Sequence, residues 1–147
     1  MYRRILIPTD GSAVAHKAVS AGVALAKALG ASVVGYHALD PIEHIYVRGG
    51  TSVRQATAGE IERGQRAAGE RFLAEIATAA AAAGVTCEAV MTSPADPYQG
   101  IIDAARAKRC DLVCIGSHGR GGVASVILGS VAQKVLSRST IAVLVCR

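Results

Sequence analysis

The sequence predicts an α/β fold: one doubly wound domain over residues 1–147, with a mostly parallel sheet covered by helices on both faces. Three observations predict it. Five short apolar runs alternate strictly with four stretches of helical spacing, the pattern of βαβ units with right-handed crossovers. A hydrophobic content of 51% with one Phe and no Trp makes a core of Ala, Val, Leu and Ile, which suits helices packed closely on a sheet. A chain of 147 residues is long enough to bury one such core and needs no second domain.

Ile5-Leu6-Ile7 is the first strand, ended by Pro8, and Thr9-Asp10-Gly11-Ser12 is a turn able to cap a helix. The spacing of Val14, Ala18, Ala21, Leu25 and Leu29 predicts a helix from Ala13 to Leu29 with Gly30 as its C-terminal cap and His16 and Lys17 off its apolar stripe. Ala31 to Ala38 has strand composition and stops at Asp40-Pro41. Pro41 to Thr57 shows no period, and a connection of this length reads equally as a lid or as a surface loop. Ala58 to Ala83 is helical, with Ile61, Ala68, Phe72, Ile76, Ala79 and Ala83 on one face, and Gly84 closes it. Gly59, Gly64 and Gly69 weaken its first half and predict a later start. Glu62 and Arg66 are spaced for a solvated ion pair.

Val85 to Met91 is the third strand. Asp96 then caps a helix that begins at Pro97, runs to about Lys108 and buries Ile101, Ile102, Ala104 and Ala105. Asp111 to Ile115 is the fourth strand, and its Leu112 to Ile115 form a continuous apolar run of the kind buried on both sheet faces. The last helix is expected over Ser125 to Leu136, with Val126, Val131, Val135 and Leu136 apolar, and the last strand over Ile141 to Cys146.

Composition excludes several functions. The net charge of +5 is spread along the chain among acidic residues, and one Phe with four Tyr supplies little for base stacking, so no nucleic-acid partner is expected. No run approaches the ~20 apolar residues of a membrane span. Met1-Tyr2-Arg3-Arg4 leads straight into a strand and not into a signal peptide, so the expected location is cytoplasmic, with no membrane partner. Cys87, Cys110, Cys114 and Cys146 lack CxxC or Cys/His spacing and read as reduced, mostly buried thiols. No metal site made of protein residues is expected.

Two loops lie where a doubly wound sheet places its ligand, beyond the carboxyl ends of the strands. One is Thr9 to Ser12. The other is Gly116-Ser117-His118-Gly119-Arg120-Gly121-Gly122, whose four glycines in seven residues permit positive φ and close approach of a ligand to the main chain. Amides at such a turn, with a helix N-terminus behind them, favour an anion. The glycine loop taken alone reads equally as a simple turn. If strands one and four are neighbours the two loops converge, one offering a carboxylate for ribose hydroxyls and the other N–H groups for phosphates.

Gly116, Gly119, Gly129 and Ser130 fall at the spacing G-x2-G-x9-G-[S/T], and strand one runs into Ile7-Pro8-Thr9-Asp10-Gly11-Ser12. In these features, and over Ile5 to Val145, the chain resembles the ATP-binding universal stress proteins. The resemblance implies a five-stranded parallel sheet of order 3-2-1-4-5, Rossmann-like and similar to the adenine nucleotide alpha hydrolases. It implies ATP as ligand, with AMP or ADP as alternatives. Pro8, Thr9 and the main chain near Ala38 would then meet adenine, Asp10 the ribose, and Gly116, Gly119, Gly129, Ser130 and Val131 the phosphates. Arg120 could screen phosphate charge, although Arg120 and His118 also read as solvated loop residues, Asp10 as a plain helix cap and Ser130 as an ordinary helical serine. Magnesium would bridge the phosphates without an all-protein cage. The family also implies a homodimer through Ile141 to Cys146, an apolar edge that would otherwise invite aggregation. Ala142 departs from a proline common in the family, away from the ligand residues, and nothing transfers to Pro41 to Thr57.

The reading that follows is a nucleotide-dependent regulator of the stress response, with an unidentified protein partner. The alternative is a nucleotide-free dimeric interaction module. No catalytic residue is identified: the Walker pattern GxxxxGK[ST] is missing and no base stands out to activate water, which leaves at most slow ATP hydrolysis or autophosphorylation.

Overall fold

The computed structural model of the chain describes residues 1–41, 57–120 and 128–147. Most of the irregular Pro41 to Thr57 segment, together with Gly121, Gly122, Ser125 and Val126, lies outside the described residues. The elements alternate as expected: β1 (Arg4–Pro8), α1 (Ala13–Leu29), β2 (Ser32–Ala38), α2 (Ala58–Ala83), β3 (Cys87–Thr92), α3 (Pro97–Ala107), β4 (Leu112–Gly116), α4 (Ser130–Arg138) and β5 (Ala142–Cys146). All the strand pairs are parallel and the order is β3-β2-β1-β4-β5. β1 and β4 are therefore neighbours, and the chain leaves both at the same end of the sheet.

Local chemistry sets most helix ends. Ser12 accepts from the Ala15 amide to start α1, and Gly30 and Gly84 end α1 and α2 at φ 64° and 72°, where a Cβ would be strained. The three glycines early in α2 do not delay its start, because Thr57 and Glu60 form a reciprocal capping box that satisfies the exposed amides. Asp96 occupies the N-cap position of α3 without making a side-chain cap bond. α4 begins at Ser130, with Gly129 as an extended N-cap, so Leu128 and Gly129 fall before the helix, not in it.

The sheet separates two apolar layers. Ile5, Ile7, Val33 and Cys114 pack with α1 and α2, while Leu6, Val34, Tyr36, Val113 and Ile115 pack with α3 and α4, the alternation that a strand buried on both faces produces. The buried stripe of α1 is Ala15, Ala18, Val19, Gly22, Val23 and Ala26, not the expected Val14-to-Leu29 set, of which only Ala18 is buried. Small residues face the sheet because the helix sits close: a Cβ on Gly22 would fall 2.6 Å from Ile7 Cδ1. In α2 the buried residues are Gly69, Leu73, Ile76 and Ala80, one position round from most of the expected face. In α4 Leu136 is exposed and Ala132 is buried.

All four cysteines are free thiols, two of them buried. Burial raises the Cys110 thiol to about 11, and burial with Cys146 beside it raises that of Cys114 to about 12, so both are neutral packing groups at physiological pH. Among the described residues no helix is long and apolar enough to cross a membrane.

Candidate functional site

At the carboxyl ends of β1, β2 and β4 lies a cavity of about 510 Å³. Pro8, Thr9 and Asp10 line it after β1, Tyr36, His37, Ala38 and Asp40 at the end of β2, and Gly116 to Arg120 after β4. Pro97 and Ile101 of α3 and Gly129 to Ala132 at the start of α4 complete the wall. All ten residues expected at the site from the sequence, Pro8, Thr9, Asp10, Ala38, Gly116, Gly119, Arg120, Gly129, Ser130 and Val131, thus border one space.

The loop after β1 is braced from within. Thr9 is buried, its amide donates to the Tyr36 carbonyl, and its hydroxyl accepts from the Gly11 amide at 3.2 Å. Its carbonyl, which can only accept, takes a hydrogen bond from His37 Nδ1 at 2.8 Å, which places a proton on Nδ1. Gly11 adopts φ 77° and lies so close to the Phe72 ring of α2 that no Cβ fits. Asp10 does not cap α1, which is the task of Ser12. Its Oδ1 accepts from the Ser12 amide at 3.0 Å and its Oδ2 from the Arg120 amide at 2.9 Å, so the carboxylate ties the two loops together.

The glycines after β4 act differently from expectation. Gly116, Gly119 and Gly129 do not have positive φ. A Cβ would meet the Val14 carbonyl oxygen at 3.0 Å from Gly116, Asp10 Oδ2 at 2.8 Å from Gly119, and the Ser117 carbonyl oxygen at 3.1 Å from Gly129. They are needed because backbone packs on backbone or carboxylate at each point, and their missing side chains point into protein.

The anion-attracting feature is the start of α4. Gly129 supplies no capping side chain, its own amide donates to Ser117 at 2.6 Å, and among the described residues no acceptor meets the amides of Ser130, Val131 and Ala132. A helix N-terminus left this way carries roughly half a positive charge towards the cavity. The cavity therefore offers N–H donors on one side, the Asp10 carboxylate on another, and an apolar slot of Pro8, Ala38, Pro97, Ile101 and Ile115. Among the described residues no group of three His, Cys, Asp or Glu side chains could hold a metal ion.

Tyr36, His37, Asp40, Pro97, Ile101, Ile115 and Ser117 border the cavity without having been identified as site residues. A signal was present for His37, an imidazole in a strand otherwise made mostly of small and apolar residues, and Ser117 sits in the glycine motif itself. Pro97 and Ile101 carried no such signal, since helix start and core face explain them fully.

A model described as the universal stress protein family matches residues 1–147. A relative from Thermus aquaticus, a universal stress protein encoded in the 3′ region of a QAH/OAS sulfhydrylase, is 31% identical, with all of both chains covered. The crystal structure of a universal stress protein in complex with cAMP is similar at a TM-score of 0.72 and 27% identity, covering 99% of this chain and 97% of that one. An Archaeoglobus fulgidus universal stress protein in complex with dAMP shares the fold at a TM-score of 0.71 and 18% identity, covering 99% and 98%.

Proposed function

Since this chain belongs to the universal stress protein family, we propose that its cavity binds an adenine nucleotide, ATP in the first instance with ADP or AMP as lesser ligands, and that occupancy is the signal of a stress-response regulator. The observation that carries the proposal is the pairing of an uncapped helix N-terminus at α4 with the Asp10 carboxylate across one cavity. Phosphates would accept from the amides of Ser130 and Val131 and from the Ser130 hydroxyl, between the walls formed by Gly116, Gly119 and Gly129. The ribose would lie at Asp10 and adenine in the slot beside Pro8, Thr9 and Ala38. The complexes of relatives with cAMP and dAMP support the choice of adenine. Magnesium fits as an ion held chiefly by phosphate oxygens, since that mode needs no protein cage.

Calorimetric titration tests this reading. ATP is expected to bind at one site per chain, with GTP at least about tenfold weaker, the discrimination that a base slot with one or two polar contacts supplies. No heat with ATP, ADP or AMP overturns it in favour of a nucleotide-free interaction module.

We propose in addition that two copies pair through β5. It is one of the two edge strands of the sheet, and Leu144 on it is 39% exposed. Sedimentation is expected to give a dimer for the native chain and a monomer for Leu144→Glu; an unchanged dimer would place the interface elsewhere.

A further inference from the structure

Arg120 and Asp10 meet twice, and a third contact anchors the pair. The Arg120 amide donates to Asp10 Oδ2 at 2.9 Å and its Nε to the Asp10 carbonyl at 2.6 Å, while its guanidinium carbon lies 5.3 Å from the centroid of the Phe72 ring on α2. Phe72 is held in turn, edge-on to His37 at 5.5 Å and against the backbone of Gly11. Among the described residues the guanidinium hydrogen-bonds Asp10 and lies over Phe72, with no hydrogen bond or ion pair to α4. We propose that Arg120 is a positioning residue for Asp10, and through it sets the selectivity of the site for a ribose with both hydroxyls, instead of screening phosphate charge. The proposal rests on the nucleotide reading above.

A carboxylate has about four acceptor positions, two on each oxygen. Among the described residues the Ser12 amide takes one on Oδ1 and the Arg120 amide one on Oδ2, which leaves one on each oxygen. Two adjacent acceptor positions match two vicinal hydroxyls, provided the carboxylate cannot rotate. The Ser12 bond is local, two residues along the chain, and holds only one oxygen. The second hold comes from 110 residues away, on an exposed loop, and requires that the Arg120 backbone be kept in place. Its side chain does so, through a charge-assisted bond to the Asp10 carbonyl and a cation–π contact with Phe72. Gly119 permits the approach, because a Cβ there would fall 2.8 Å from Oδ2.

The test compares ATP, 2′,3′-dideoxy-ATP and inorganic triphosphate by calorimetry on the native chain, Arg120→Ala, Arg120→Lys and Phe72→Leu. The native chain is expected to prefer ATP over the dideoxy analogue by about tenfold or more, the size of hydrogen bonds to a charged acceptor. Arg120→Ala brings that ratio down to about twofold or less while triphosphate affinity stays the same. Arg120→Lys does likewise, because an ammonium keeps the charge but lacks the planar N–H fork and stacking face. Phe72→Leu lowers the ratio part of the way with the Nε bond retained. Equal losses for all three ligands in Arg120→Ala, with rescue by lysine, would make Arg120 a phosphate-screening charge and overturn the proposal. A native ratio that no variant moves overturns it while leaving the nucleotide reading standing. No binding of ATP by the native chain overturns both.

Discussion

Ser130→Pro is expected to weaken ATP binding about 100-fold while changing adenosine affinity less than twofold. Ser130 is the first residue of α4, where an amide has no intrahelical acceptor, so proline removes no helical hydrogen bond. Gly129 before it is extended, at φ −70° and ψ 159°, the conformation a residue preceding proline adopts. The fixed φ of proline also suits a first helical position. The substitution therefore deletes one N–H and one hydroxyl facing the cavity and leaves the fold undisturbed, with a melting temperature within about 2 °C of the native value. Two charge-assisted hydrogen bonds of about 1.5 kcal/mol each account for the loss. Ser130→Ala separates the two donors and is expected to lose about tenfold. Calorimetry with ATP, AMP and adenosine checks the series. Equal losses for adenosine and ATP would mean that the helix start does not hold the phosphates. Gly129→Val is a poorer probe, since its side chain would strike the Ser117 carbonyl and His118 Cα and unseat the loop as a whole.

Gly100→Ala is expected to lower stability by about 2 kcal/mol and the melting temperature by about 5 °C, although alanine is the better helix former. Gly100 lies inside α3, buried, where a Cβ would overlap the Tyr36 hydroxyl and approach Pro94 Cγ to 2.7 Å. Tyr36 cannot step aside without cost. It is 1% exposed, and its hydroxyl pairs with Thr92 Oγ1 at 2.7 Å. It also lines the cavity, so a shifted ring is expected to weaken nucleotide binding along with the fold. Gly64→Ala in α2 is the control. Nothing lies within 4 Å of that position, and the substitution is expected to raise stability by about 0.5–1 kcal/mol. Thermal unfolding of both variants decides the matter; stabilisation by Gly100→Ala would show that Tyr36 and Pro94 do not pack as described.

These two glycines divide what residue order reveals from what it conceals. Only Gly64 was read as a helical weak point along the chain, although propensity alone treats both alike, and only the packing beneath α3 gives them opposite signs. Features that act within one turn were legible, the glycines that end α1 and α2 and the start of α3 at Pro97; the alternation of strands and helices followed from periodicity, and Gly129 and Ser130 were joined to Gly116 and Gly119 by the family resemblance. Caps and breakers work through a few neighbouring backbone groups, so residue identity and order suffice for them. The capping box of α2 was equally local, and its Thr57 and Glu60 could have been read against the three glycines that argued for a later start.

The rest depended on residues brought together from far along the chain. The buried stripe of α1 follows from how near the helix lies to Ile7 and Cys114, which favours Ala15, Ala18 and Gly22 over the larger Val14 and Leu25. The glycines of the motif were identified from spacing, but their task, making room for Val14, Asp10 and Ser117, appears only once β1 and β4 stand side by side. Of the β1 loop, the order of residues revealed an acid at position 10. The pairing of β1 with β4 brought Arg120 onto it across 110 residues, because a hydrogen bond between two loops is decided by where the sheet ends both strands and not by what lies beside either residue in the chain.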